Sequence, residues 1–171
     1  MRKLKVFLAV LLASLSLHIH PSEIDSLLRE LDMSIRNRPQ YTLKRQEQID
    51  ALQRKLRLSH SDQERYDLYR ELFGKYRSYR MDSALWVANQ RVELAKRMKN
   101  PLYVRSAELN IAEVMIGVAM YKEGLEILDG IKSADLDASG VSYYYYQYHQ
   151  VYTLMADYAF SDQMKEHYRG L

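Results

Sequence analysis

Five histidines are the side chains in this sequence most suited to acid–base or metal chemistry. Two of them, His18 and His20, lie in an apolar N-terminal stretch, which leaves His60, His149 and His167 for a site. No two histidines have the i, i+4 spacing of a helical metal site, no glycine-rich phosphate loop occurs, and cysteine is absent. We therefore expect a protein that is not an enzyme and that uses no metal and no cofactor.

Tyrosine is the other residue type that stands out, with 15 tyrosines against 3 phenylalanines and 1 tryptophan. Its ring offers a large contact area with few rotatable bonds, and its hydroxyl can bind polar groups, which suits recognition. Residues 143–146 are four consecutive tyrosines, so on a helix they point to all sides. The predicted packing stripe consists of Tyr144, Tyr148, Val151, Tyr152, Met155 and Ala159. The candidate contact surface then consists of Tyr143, Tyr146 and Tyr158.

A simpler explanation stands beside that contact surface. Tyrosines can act as spacers between stacked helices, and we favour this role over a ligand-binding one for most of them. Trp86 lies beside the packing face of its predicted helix. We expect it to be partly buried instead of forming an open platform for a sugar.

The N-terminal segment MRKLKVFLAVLLASLSLHIH has basic residues before a short apolar run. The run from Val6 to Leu17 would span about 18 Å as a helix, too short for a hydrocarbon core of roughly 30 Å. Residues 1–20 are typical of a secretory signal peptide, which predicts export to the periplasmic side; a buried N-terminal helix is the weaker alternative. The remaining residues carry equal numbers of basic and acidic side chains, which argues against nucleic-acid binding.

Apolar residues recur at helical spacing through the rest of the chain, and no segment alternates with period two, so the predicted class is all-α. The first helix has a stripe of Ile24, Leu27, Leu28, Leu31 and Ile35 and ends at Asn37-Arg38-Pro39. Further helices are predicted at about 41–58, from the cap Ser61 to Arg80, from the cap Asp82 to Met98, at 102–120, 122–131 and 141–160, and from the cap Ser161 onward. Residues 133–140 should form a loop. The helix at 102–120 is apolar on nearly every side, so it should lie at the centre of the fold.

The predicted helices pair into antiparallel hairpins whose second helices start about 40 residues apart, near Asp82, Lys122 and Asp162. A single hairpin would leave an apolar face exposed, so successive hairpins must stack. The pair at about 105–135 resembles a tetratricopeptide (TPR) repeat, where a small residue on each helix lets the two backbones cross closely. The matching residues are Ile111, Ala112, Met115, Tyr121, Gly124 and Leu128. The expected architecture is a TPR-like right-handed α-solenoid.

Nearly the whole sequence resembles Gram-negative bacterial proteins with a signal peptide, TPR-like helices and a C-terminal domain of unknown function. The resemblance is carried by SLLRELDMSIRNRPQY, SDQERYDLYRELFGKYRSYRMDSALWVANQRVELAKRM and AELNIAEVMIGVAMYKEGLEILDGI. Such proteins are similar to membrane-anchored regulators, in which the exported helical part precedes a transmembrane helix, a coiled coil and a DNA-binding end. The resemblance implies a fragment or a shortened relative of a regulator.

Three functions fit this organisation. The favoured one is an exported TPR-like module, residues 21–171, that binds a protein or peptide in its groove as the sensing segment of a regulator. The second is a carbohydrate- or small-molecule-binding domain that uses exposed tyrosines, and the third is a structural spacer. Contact with the membrane is expected only through the signal peptide or a later span. We also expect the repeat array to be truncated at Leu171, leaving residues 141–160 uncovered and favouring self-association.

Overall fold

The structure is a computed structural model that describes residues 21–171, and the predicted signal peptide lies outside these residues. The described part contains eight α-helices, a 3₁₀ turn at Ser133–Asp135 and no strand. The helices are α1 (Pro21–Arg36), α2 (Arg38–Leu58), α3 (Asp62–Tyr76), α4 (Met81–Arg97), α5 (Pro101–Gly117), α6 (Tyr121–Asp129), α7 (Ala138–Asp157) and α8 (Asp162–Arg169). The predicted all-α class is confirmed.

The chain forms two compact units, of which the first ends at Lys44 and the second begins at Arg45. In the first unit, Asn37 separates α1 from α2, and Pro39 lies in the first turn of α2. A proline is tolerated there because its missing N–H would have no partner within the helix. Helix α2 therefore begins at Arg38, three residues before its predicted start. The predicted apolar stripe of α1 is present, and it is exposed.

The second unit is a stack of hairpins whose first helices all begin with a side-chain cap. Ser61, Asn100 and Asp137 accept hydrogen bonds from the N–H groups of the third residue beyond them, at 3.1, 3.1 and 2.7 Å. Such caps satisfy N–H groups that the first helical turn leaves unpaired. Ser161 caps α8 in the same way, with 3.3 Å to Met164 N. The predicted caps Ser61 and Ser161 are confirmed.

Two helix starts differ from the sequence prediction. Asp82 does not cap α4, because the helix already begins at Met81 after Arg80, whose carbonyl accepts from Ala84 N at 3.0 Å. Residues 138–140 belong to α7 instead of a loop, because Asp137 caps the helix ahead of Gly140. The hydrogen bond from Gly140 N, followed by that from Ser139, lowers the pKa of Asp137 below its ordinary value.

The helical hairpins stack around α5. Second helices begin at Met81, Tyr121 and Asp162, close to the predicted spacing. Helix α5 contributes Val114 to the core it shares with α2, α3 and α4, and Ala107 to a second cluster with α3 and α4. Its other fully buried apolar residues pack against α6 and α7, namely Leu109, Ala112 and Ile116. The helix predicted to be central is buried on three sides, and the second unit is a TPR-like α-solenoid.

Candidate binding surface

The α5–α6 hairpin makes the close crossing that the TPR pattern predicts. Gly124 is buried, and a Cβ atom placed on it would lie 2.8 Å from Ile116 Cγ1 and 3.6 Å from the Ala112 carbonyl oxygen. Ala112 and Leu128 are fully buried, whereas the other residues of the pattern are partly buried, namely Ile111, Met115 and Tyr121. These residues hold the hairpin together and leave the contact surface to other side chains.

The packing stripe of α7 lies against α5 and α6. Val151 is fully buried, and the rings of Tyr144, Tyr148 and Tyr152 pack partly buried around the same core. Tyr144 donates to the Tyr148 hydroxyl at 3.5 Å, which in turn donates to Asp129 Oδ1 at 2.6 Å. Burial, and then the hydrogen bond to Asp129, raise the pKa of Tyr148 well above its ordinary value.

Tyr143 belongs to the interior of the stack, which differs from its predicted place on the contact surface. Its hydroxyl donates to the Glu113 carboxylate and accepts from Asn110 Nδ2 at 3.4 Å. Glu113 also pairs with Arg77, at 2.9 Å between Nη1 and Oε1. Burial, and then the charge of Glu113, raise the pKa of Tyr143 well above its ordinary value. A half-buried hydroxyl held by two partners has little freedom to bind a ligand.

A buried arginine continues this polar cluster on the other side of Asn110. Arg91 is 2% exposed, and its Nη1 donates to Asn110 Oδ1. The guanidinium lies over the ring of Tyr66, and burial lowers the pKa of Arg91. Arg91 falls on the stripe of Ala84, Ala88 and Ala95, so its spacing could have indicated burial.

A cleft between α7 and α8 has aromatic walls and a volume of about 460 Å³. Its walls combine rings, a cation, an anion and an imidazole, supplied by Tyr145, Tyr148, His149, Tyr152, Thr153, Ala156, Asp157, Tyr168, Arg169 and Leu171. The Tyr145 ring is 58% exposed. The sequence alone did not indicate Tyr168 and Arg169, because they reach the cleft from a different helix.

Two of the predicted contact residues, Tyr146 and Tyr158, are exposed but do not line the cleft. Tyr146 is 55% exposed and Tyr158 is 77% exposed, beside the even more exposed Phe160. Helix α7 is covered by α5 and α6 on its packing stripe, and α8 covers part of another side. Less of its surface is therefore exposed than predicted. Trp86 also differs from expectation: it is 55% exposed, and its ring contacts that of Tyr69 edge-on, at 5.8 Å between ring centres.

Residues 21–171 contain neither a metal-binding cluster of side chains nor a helix that could span a membrane. No three histidine, aspartate or glutamate side chains in this range are grouped so that they could hold a metal ion. Among these helices, none combines the length and the apolar character that crossing a bilayer requires.

Comparison with known proteins identifies the stack of hairpins. A family model described as the SusR N-terminal TPR domain matches residues 35–171, which run from the end of α1 through α8. Comparisons with curated proteins and with solved structures found no match. The match agrees with the repeated capped helices and with the close crossing at Gly124. The chain belongs to the family of SusR N-terminal TPR domains.

Proposed function

We propose that this domain is a non-enzymatic, exported module that binds a protein or peptide through the cleft between α7 and α8. Its membership in a TPR family supports a protein partner, because stacked helical repeats present extended surfaces for such contacts. The observation that carries the proposal is the aromatic lining of the cleft. Tyr145, Tyr152 and Tyr168 supply rings that lose little conformational freedom when a partner is bound.

The polar groups of the cleft give it the means to orient a partner. Arg169 is a donor at one wall, where it also contacts Glu166 at 3.3 Å, and Asp157 is an acceptor. A peptide backbone carries both donors and acceptors, so this mixed lining suits a peptide better than a purely charged ligand. Tyr146, Tyr158 and Phe160 are exposed aromatic residues that we propose extend the contact surface beyond the cleft.

We further propose that the module is the sensing segment of a membrane-anchored transcriptional regulator-like protein. Two sequence features support this role: the signal-like residues 1–20 and the resemblance to exported regulators. A sensing segment needs a binding surface on an exported, folded part. Reading the gene downstream of codon 171 tests this role, and we expect a transmembrane helix followed by a regulatory domain. A gene with neither would contradict it.

A library of displayed peptides, selected against the chain, tests the binding proposal. We expect enrichment of related peptides that bind Tyr145→Ala and Tyr168→Ala at least about tenfold more weakly, because aromatic anchors carry much of an interface energy. The control is Tyr41→Ala, which removes an equally exposed ring in the first unit. Failure to enrich any peptide, or equal binding by the cleft variants, would refute the proposal.

The second candidate function is binding of a carbohydrate or another small molecule. The volume of the cleft favours this alternative, because pockets for small molecules span about 300–1,000 Å³. Titration of the chain with a panel of neutral sugars, followed by NMR chemical shifts, distinguishes the two functions. Chemical-shift changes that are confined to Tyr145, His149 and Tyr168 and that saturate as the sugar concentration rises would favour small-molecule binding over peptide binding.

A further inference from the structure

The apolar stripe of α1 has the spacing of a coiled coil. Ile24, Leu28, Leu31 and Ile35 are separated by four, three and four residues, which are the intervals between successive d and a positions of a heptad. Leu27 flanks the stripe. These five side chains are 45% to 60% exposed, unlike the apolar stripes of α3 to α5, whose main residues are buried.

The charges of α1 argue against a membrane surface as the cover for this stripe. The helix carries four acidic residues and two basic residues, Arg29 and Arg36. Helices that lie on bilayers are typically rich in lysine and arginine, which attract anionic lipids. A net negative helix would be repelled by such a surface. The charge pattern instead suits a protein surface with matching apolar spacing.

If a second copy of α1 is the partner, the same charges determine whether the two helices run parallel or antiparallel. With Ile24 and Leu31 at d, Asp25 and Asp32 occupy e positions, and Leu27 and Ser34 occupy g positions. In an antiparallel pair of identical helices, e positions face each other and aspartates would repel. In a parallel pair, the g position Leu27 faces Asp32 of the other copy, and no like charges meet.

We propose that α1 packs against α1 of a second copy of this chain in a parallel two-helix coiled coil. The stripe supplies the apolar seam, and the aspartates exclude the antiparallel arrangement. The interface uses none of the residues that line the α7–α8 cleft, so the pairing does not depend on the proposed binding function. A short seam of two heptads gives a weak, reversible dimer, because short helices are marginally stable alone.

Introduced cysteines test the proposal directly, because the natural chain contains none. In a parallel pair each residue of the seam faces its own copy, so Ile24→Cys and Leu31→Cys should each form a disulfide-linked dimer under mild oxidation. Met33→Cys is the control, since Met33 is equally exposed but lies off the seam. In an antiparallel pair, Ile24→Cys would instead cross-link with Ile35→Cys in a mixture of two differently tagged chains. That outcome would overturn the proposal.

Mass measurements give an independent test without oxidation. Light scattering across a concentration series should show the mass rising toward twice that of one chain. Leu28→Glu with Leu31→Glu should shift the midpoint at least about tenfold to higher concentration, whereas Met33→Glu should not. Circular dichroism checks that the second unit stays folded in each variant. A wild-type mass that stays that of one chain at every concentration, or variants that dimerise unchanged, would also overturn the proposal.

Discussion

The guanidinium carbon of Arg91 lies 4.4 Å from the centre of the Tyr66 ring, inside the stack of hairpins. Tyr66 is itself fixed, since its ring stacks on that of Tyr103 at 4.5 Å and its hydroxyl donates to the Tyr103 carbonyl at 2.8 Å. Arg91 also donates a hydrogen bond to Asn110, and its Nε has no hydrogen-bond partner among the described residues. A buried cation is thus held by an aromatic face and one amide.

Removing the amide should cost more stability than removing the charge. Asn110→Leu leaves the Arg91 cation without its acceptor, and we expect a loss of about 2–3 kcal/mol in the free energy of unfolding. Arg91→Met removes the charge together with its desolvation cost, so its loss should be smaller. The loss in the free energy of unfolding of the double variant should be smaller than the sum of the two single losses, by about 1 kcal/mol or more. Urea denaturation of all four proteins measures this, and strictly additive effects would contradict it.

Adding one methyl group at the α5–α6 crossing should destabilise the domain. Gly124→Ala places a Cβ 2.8 Å from Ile116 Cγ1, which forces the helices apart, and we expect a net loss of about 1–2 kcal/mol. Gly74→Ala is the matched control, because nothing lies within 4 Å of its added Cβ in α3. This control should gain about 0.5–1 kcal/mol through higher helix propensity. Equal effects of the two substitutions in thermal denaturation would refute the close crossing.

The half-buried hydroxyl of Tyr143 should make the domain sensitive to alkaline pH. Folding raises the pKa of Tyr143, so the folded state keeps a proton that the unfolded chain releases near pH 10. The contribution of Tyr143 to the free energy of unfolding is therefore fully present below pH 10. It decreases as the pH rises above 10 toward the raised pKa of the folded state. Tyr143→Phe should cost about 1 kcal/mol at pH 8 and reduce the alkaline slope by up to about 1.4 kcal/mol per pH unit. Urea denaturation from pH 8 to pH 11 measures both effects.

The exposed ring of Tyr158 provides the control for that pH profile. Tyr158→Phe also removes one hydroxyl, but from a side chain that is 77% exposed, so the alkaline slope should match that of the wild type. A Tyr143→Phe profile parallel to the wild-type profile would show that the hydroxyl is not shielded by folding.

Export predicts a defined change in the mature protein. We expect removal of about the first 16–20 residues, because Ser14 and Ser16 are small residues suited to a signal-peptidase site and cleavage nearer His20 is the alternative. Mass spectrometry of the protein from periplasmic extracts measures the new N-terminus. A mature protein that retains Met1 or Lys5 would rule out this processing.

Features that depend on neighbouring residues were predictable from the sequence. The caps Ser61 and Ser161 are predictable because a cap acts within one turn, and the repeat spacing follows from helix length plus a short turn. The predicted start of α4 is wrong because Asp82 has a side chain suited to capping, whereas Arg80 already occupies the cap position.

Features that depend on distant residues were not predictable in the same way. The predicted exposure of Tyr143 was wrong because its partner Glu113 lies 30 residues earlier in the chain. The sequence does not specify which side of the Glu113 helix faces α7. The cleft needs α8 to fold back on α7, so spacing within 141–160 could not reveal Tyr168 or Arg169 as its walls. Periodicity predicts which face is apolar, whereas pairing between hairpins is decided by packing.

The chain of contacts from Arg77 through Glu113 to Tyr143 joins three successive hairpins, with the Glu113 carboxylate at its centre. In a repeat array each hairpin contacts only its neighbours, so an outer hairpin can melt while the others persist when it shares no side chain with the hairpin beyond. Here the departure of either outer hairpin strips the half-buried Glu113 carboxylate of a partner, and the remaining hairpins are weakened too. The array from α3 to α7 should therefore melt in one step, as a single cooperative block instead of a row of separable modules.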